Sequence, residues 1–84
     1  MSEQVDPRFR PPVEAFLRGD HSVFDFSHAY RDIVNQVAGL RPLRGLEMDL
    51  FYELEVWETA GWDERVLVVD RLRELARRSL DDIP

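Results

Sequence analysis

The apolar residues between Ser22 and Gly39 recur at helical spacing, and this pattern restricts the possible folds more than any other feature of the chain. At about 100° per residue they fall within one stripe, opposite a polar side. Ser22 is a favourable N-cap residue, and Gly39 stands where a C′ glycine would end a helix. The segment therefore predicts an amphipathic helix. Its apolar stripe consists of Val23, Phe26, Tyr30, Ile33, Val34 and Val37.

Three further segments show the same periodicity. A short first helix begins with Pro11 and Pro12, because proline is tolerated in the first helical turn, and it ends before Gly19. The third helix ends at Gly61, and Asp63 is placed to cap the fourth. No segment alternates with a period of two over more than a few residues, so strands are not expected. The stripes of the third and fourth helices consist of Leu46, Leu50, Leu54 and Trp57, and of Val68, Val69, Leu72, Leu75 and Ala76.

Four helices joined by short connections predict an all-α fold, a small antiparallel four-helix bundle with a short first helix. A chain of 84 residues supports one core. We therefore expect a single domain over residues 11–80, followed by a C-terminal tail over residues 81–84. Residues 1–10 lack periodicity and contain Pro7, which predicts a mobile N-terminal arm.

The composition also bears on the compartment. The chain contains no cysteine, so it can form neither a disulfide nor a thiolate metal site, and a reducing cytoplasm is the natural compartment. No apolar run approaches the roughly 18 residues of a membrane span, and the polar start of the chain is unlike a signal peptide. We expect a cytoplasmic protein that does not bind membranes.

No constellation of catalytic or metal-ligating residues emerges. The four glycines stand singly at predicted helix boundaries, which argues against a glycine-rich phosphate loop. Asp25, His28 and Asp32 share one side of the second helix, but that side is the polar one. The arginines of the fourth helix flank its stripe on both sides among acids, rather than forming the positive stripe that nucleic acids need. We expect a protein that is not an enzyme, uses no cofactor or metal, and does not bind nucleic acid directly.

Charge is distributed unevenly along the chain. The net charge is −6, yet residues 1–45 balance six arginines against six acids, whereas residues 46–64 hold seven acids and no base. Like charges one turn apart destabilise a helix by about 0.2–0.5 kcal/mol per pair. A surface complementary to a basic partner would account for them, and a solvated face partly neutralised by arginines of the fourth helix is the alternative. The seven acids are Glu47, Asp49, Glu53, Glu55, Glu58, Asp63 and Glu64.

The aromatic residues divide into two groups. Those of the first group lie at core spacing: Phe16, Phe26, Tyr30, Phe51 and Trp57. Those of the second group do not, and they are either boundary contacts or candidates for a partner surface: Phe24, Tyr52 and Trp62.

Two blocks of the sequence match, without gaps, the spacing of residues in a known protein family. The first comprises Phe16-Leu17, Ser22 and Asp25-Phe26-Ser27, and the second comprises Leu50-Phe51, Glu55, Trp57 and Glu58. Together with an amphipathic closing helix that includes residues 69–75, they cover most of residues 12–76. In these blocks the chain resembles the bacterial self-protective colicin-like immunity family.

The resemblance implies a compact helical protein that binds the nuclease domain of a cognate toxin, a tRNA-cleaving domain in the best-known case. Such a protein covers the basic active site by standing in for the RNA phosphates. Carried over by position, Glu55 and Glu58 are central contacts. A third acid of the family falls on Ala60 here, so Asp63 and Glu64 are expected as secondary contacts. The rim of the contact is assigned to Glu53 and Trp62.

We therefore predict a monomeric immunity protein that binds a toxin nuclease domain one-to-one. Two alternatives stay open. A helical adaptor or self-associating module would bury Phe24, Tyr52 or Trp62 against a second copy. An antitoxin or regulator that competes with nucleic acid would share the acidic face.

Overall fold

The computed structural model describes residues 4–84, which form four α-helices. No strand occurs within that range. The predicted small all-α four-helix bundle with a short first helix is confirmed. After a 3-10 turn at Pro7–Phe9, the helices are α1 (Arg10–Arg18), α2 (Val23–Ala38), α3 (Gly45–Thr59) and α4 (Trp62–Asp82).

The apolar stripes of the four helices meet in one core. The Phe16 ring of α1 stacks on Phe26 of α2, with centroids 4.3 Å apart. Helices α3 and α4 run antiparallel, since Glu53 of α3 meets Arg71 whereas the later Trp57 meets the earlier Arg65. The fully buried apolar residues of α2, α3 and α4 all lie on the predicted stripes: Phe26, Tyr30, Val37, Leu50, Leu54, Val68, Leu72 and Ala76.

The helix ends confirm some of the predicted signals and correct others. The Ser22 hydroxyl accepts a hydrogen bond from the Asp25 amide at 3.1 Å, as expected of an N-cap. Gly39 ends α2 with a right-handed φ of −69°, whereas Gly19 after α1 adopts a φ of +85° that favours glycine. The predicted cap at Asp63 is wrong. Gly61 is the N-cap residue and α4 begins at Trp62, so Asp63 lies in the first turn of the helix.

Residues 4–10 are packed against the bundle, which corrects the mobile arm predicted over residues 1–10. Val5 and Phe9 are 2% and 0% exposed and belong to the core. The Val5 amide donates to a carboxylate oxygen of Asp82 at 3.1 Å. Val5, Phe9 and Val13 are each four residues apart, a helical spacing that Pro7 obscures in the sequence. Residues 1–3 lie outside the described part of the chain.

The other end of the predicted domain also shifts. Helix α4 continues to Asp82, and Ile83 is buried in the core, so most of the tail expected at residues 81–84 is part of the bundle. Arg10, the first residue of α1, donates to the carbonyl oxygens of Ile83 at 3.4 Å and Pro84 at 3.3 Å. The segment from Val5 to Arg10 and the C-terminal residues are thereby held at the same end of the bundle.

The unequal lengths of α1 and α4 leave part of α4 uncovered. The two helices have 9 and 21 residues, which correspond to about 13.5 Å and 31 Å. Since α1 begins beside the C-terminal end of α4, it cannot cover that helix over its whole length. In the N-terminal half of α4, Trp62 and Val66 are correspondingly exposed.

Candidate protein-binding site

Glu55 and Glu58, the two predicted central contacts, lie together on the edge of α3 that faces α2. Both bind the same guanidinium nitrogen of Arg31, Glu55 at 3.1 Å and Glu58 at 2.7 Å. This shared cation offsets the repulsion between two carboxylates one turn apart and leaves the trio with a charge of −1. Both acids stay exposed to solvent. The structure therefore brings the two predicted residues together and adds Arg31, which the sequence did not indicate.

Glu53 lies on the other edge of α3, which faces α4. One of its carboxylate oxygens lies 3.3 Å from the Nε of Arg71, and the side chain is half-buried. The arginine of the fourth helix thus neutralises this acid, as the solvated-face alternative anticipated. Glu53 is therefore separated from the pair formed by Glu55 and Glu58.

Asp63 and Glu64 lie in the first turn of α4 and are exposed. Within residues 4–84 neither carboxylate forms an ion pair, and the same holds for Asp49 on α3. Acids in the first turn of a helix are favoured by the helix dipole, which gives Asp63 and Glu64 a structural reason to be there. Their charge nevertheless remains available to a partner.

Glu47 is a correction to the predicted acidic surface, because its side chain is fully buried. Its two carboxylate oxygens accept two hydrogen bonds from the Arg41 guanidinium, both at 2.8 Å. The amides of Asp6 at 2.8 Å and Arg44 at 2.9 Å donate to it as well. Glu47 precedes Leu50 by three positions, a spacing that places it on the buried stripe and could have identified it.

The surroundings of Glu47 keep it ionised. Burial alone would raise the pKa of its carboxyl group, but the hydrogen bonds from Arg41 and from the Asp6 and Arg44 amides outweigh burial, and the pKa lies below its ordinary value. The hydrogen bonds between Arg41 and Glu47 raise the pKa of the Arg41 guanidinium. This buried ion pair joins the N-terminal segment to the connection between α2 and α3.

Tyr30 completes the contacts around Glu47. Its hydroxyl donates to the backbone oxygen of Glu47 at 2.8 Å. Burial, supported by the nearby carboxylates of Glu47 and Asp49, raises the pKa of the Tyr30 hydroxyl far above its ordinary range. The phenol therefore remains a hydrogen-bond donor and joins α2 to α3.

We expect the stability of the protein to fall at acidic pH partly through Glu47. The pKa of Glu47 is lowered in the folded state, so Glu47 binds a proton in the unfolded chain first as the pH drops. Glu47 therefore stabilises the fold fully at pH values above the pKa of a free glutamate, about 4.3. That stability is lost as the pH falls through the folded pKa. Glu47→Gln should therefore show a smaller loss of unfolding free energy between pH 7 and pH 3, measured by urea unfolding.

A matched control for that experiment is Glu74→Gln, since Glu74 is an exposed acid paired with Arg78 at 3.0 Å. This variant should follow the pH dependence of the unsubstituted protein. Parallel pH profiles for Glu47→Gln and the unsubstituted protein would contradict the role assigned to the buried carboxylate.

The aromatic residues predicted to lie off the core are exposed. Phe24, Tyr52 and Trp62 are 61%, 65% and 86% exposed. On α3, Met48 and Val56 are also exposed and lie one turn before and one turn after Tyr52. We call these three side chains, Met48, Tyr52 and Val56, the α3 ridge. Its aliphatic members were not predicted, although their i, i+4, i+8 spacing was visible in the sequence.

Trp62 belongs to a different surface from Glu55 and Glu58. It lines an open groove of about 300 Å³ with Arg65, Val66, Val69 and Asp70, all from α4, which we call the α4 groove. The Arg65 guanidinium carbon lies 4.6 Å from the centroid of Trp57 and 5.9 Å from that of Trp62. Trp57 is on the side of α3 that faces α4. Trp62 therefore lies on the same side of α3 as Glu53.

Metal-binding clusters and membrane-spanning helices are both absent from residues 4–84. No group of three or more His, Asp or Glu side chains there is arranged to hold a metal ion. Of the polar trio on α2, His28 instead packs edge-on against Phe24, with centroids 4.5 Å apart. In the same range no helix has the length and apolar character needed to cross a bilayer.

These features define a small four-helix bundle whose third helix presents an acidic and partly apolar surface. Comparisons of the chain with protein-family models, curated proteins and solved structures found no match. The similarity of the two sequence blocks to colicin-like immunity proteins therefore stays a prediction.

Proposed function

We propose that this protein is an immunity protein that binds and inhibits a cognate toxin nuclease domain, of the tRNA-cleaving kind, by covering its basic active site. It acts without catalysis and without a cofactor. The observation that carries the proposal is the pair of exposed carboxylates of Glu55 and Glu58, held side by side on Arg31. They lie in a stretch, residues 46–64, that has no basic side chain.

The geometry of the pair suits it to bind cations. Each carboxylate uses one oxygen to bind Arg31, Oε1 in Glu55 and Oε2 in Glu58. The second oxygen of each has no hydrogen-bond donor among residues 4–84 and can accept from an arginine or lysine of a partner. Because Arg31 fixes both side chains before binding, less side-chain entropy is lost when the partner arrives.

The other predicted acids add negative charge near Glu55 and Glu58, but they do not all lie in the same contact with the partner. Asp63 and Glu64 are unneutralised by any described residue and would add to the attraction of a basic domain during approach. Glu53 is occupied by Arg71 on the other edge of α3 and contributes less. The proposed contact is therefore centred on the edge between α2 and α3.

The proposal is tested by co-expression with the C-terminal domain of the protein that the neighbouring gene encodes. Growth should stop when the domain is expressed alone and recover when this chain is expressed with it. The two proteins should also elute as a one-to-one complex. Failure to rescue growth, together with the absence of a complex, would reject the function.

A second candidate function, self-association, is favoured by one observation. Trp62 is 86% exposed and lies beside Val66 in the α4 groove, which α1 is too short to cover. The groove contains both Arg65 and Asp70, so its charge would not prevent two copies from approaching there. Sedimentation equilibrium decides the point: a dimer that Trp62→Ala converts to a monomer would favour this function.

A further inference from the structure

The α3 ridge is an apolar surface that the core leaves uncovered. Met48, Tyr52 and Val56 are 37%, 65% and 40% exposed and follow one another along the outward face of the helix. Substituting polar residues there would cost no core packing, so stability alone does not explain them. Tyrosine combines a large apolar ring with a hydroxyl group and is enriched where proteins bind one another.

Charges of one sign border the α3 ridge. Asp49 lies on one side of it and Glu55 on the other, and both are exposed. No basic residue occurs anywhere in α3. The neighbouring arginines bind acids at the two edges of the helix, Arg31 towards α2 and Arg71 towards α4. An approaching molecule would therefore meet an apolar centre between carboxylates.

This arrangement discriminates between the possible occupants of the ridge. A second copy of the chain would bring Asp49 and Glu55 against the same acids, and like charges across an interface are unfavourable. Nucleic acids and the anionic surfaces of membranes would be repelled in the same way. A cationic protein surface with an apolar side chain at its centre is complementary to both the charge and the ridge.

We propose that the α3 ridge is the part of the toxin-binding surface that determines how long the complex lasts, with Tyr52 inserted against an apolar side chain of the cationic partner. This inference rests on the proposed function and deepens it. Charges at an interface mainly raise the association rate, whereas buried aromatic anchors mainly slow dissociation. The carboxylates and the ridge therefore have separate kinetic effects.

The experiment measures association and dissociation rates of the full chain with the purified C-terminal domain of the protein that the neighbouring gene encodes. Tyr52→Ala should speed dissociation about 30-fold, the size expected for a buried aromatic anchor, with an association rate within about twofold of the original. Glu55→Gln should mainly slow association, and this effect should weaken at high salt.

Leu67→Ala is the matched control, because Leu67 is a large apolar residue of similar exposure, 64%, that lies on α4. It should change neither rate. If the unsubstituted chain binds but Tyr52→Ala dissociates no faster than Leu67→Ala, the ridge has no such role and the proposed function stands. If the unsubstituted chain does not bind at all, the proposed function is rejected, and this inference with it.

Discussion

Replacing Arg41 by alanine is expected to lower the free energy of unfolding by about 3 kcal/mol, because it leaves the fully buried carboxylate of Glu47 without its cation. The amides of Asp6 and Arg44 would still donate to that carboxylate, but they do not neutralise it. A loss of about 3 kcal/mol reduces the ratio of folded to unfolded protein more than 100-fold. Urea unfolding followed by circular dichroism measures the change.

Arg44→Ala is the matched control for this substitution. It removes an arginine from the same connection, yet the Arg44 side chain is exposed, and its one hydrogen bond to the described residues is long, 3.5 Å to the Gln4 backbone oxygen. Its backbone amide still donates to Glu47 after the substitution. We expect a change within about 0.5 kcal/mol. Equal effects of the two variants would show that the Arg41 pair does not stabilise the fold.

A double-mutant cycle separates the pair from its surroundings. Arg41→Ala, Glu47→Gln and the double variant should give a coupling energy of at least about 1 kcal/mol, since the two side chains share two hydrogen bonds. Additive effects would instead mean that each residue acts through its other contacts.

Reversing the charge of both central acids is expected to abolish protection against the toxin. In Glu55→Lys/Glu58→Lys the partner's cations would meet two lysines beside Arg31 instead of two carboxylates. Two lost charge pairs at about 1.5 kcal/mol each weaken binding roughly 100-fold, and the new repulsion adds to this. The measurements are the affinity of the purified chain for the toxin domain and growth in co-expression.

Folding should be little affected, because the ion pairs with Arg31 are solvent-exposed and such pairs contribute at most about 1 kcal/mol. A control with the same change in net charge is Asp25→Lys/Asp32→Lys, which alters two exposed acids of α2. The control should retain protection. If both double variants protect equally well, the edge between α2 and α3 is not the binding surface.

Local patterns allowed the elements of this fold to be predicted. The apolar stripe of α2 and the cap at Ser22 are properties of neighbouring residues, and both agree with the structure. The exposure of Phe24, Tyr52 and Trp62 followed from the same periodicity, because an aromatic residue off the stripe of its own helix points away from the core.

Contacts between segments distant in the chain were not predictable in this way. Val5 and Phe9 complete the core only because the N-terminal segment returns to the C-terminal end of α4. Glu47 was counted with the surface acids, yet Arg41 and the Asp6 amide enclose it. Tolerance of this buried charge depends on donors from two other segments, the N-terminal segment and the connection between α2 and α3, which no local pattern reveals.

The sequence therefore established an all-α bundle and an acidic third helix, because helical periodicity and charge depend only on residues close together in the sequence. Only the tertiary structure divided the seven acids into different classes. Packing buried Glu47, paired Glu53 with Arg71, and placed Glu55 and Glu58 on Arg31. The physical reason is that the accessibility and net charge of a carboxylate are set by the neighbours that packing brings to it, and those neighbours come from other helices.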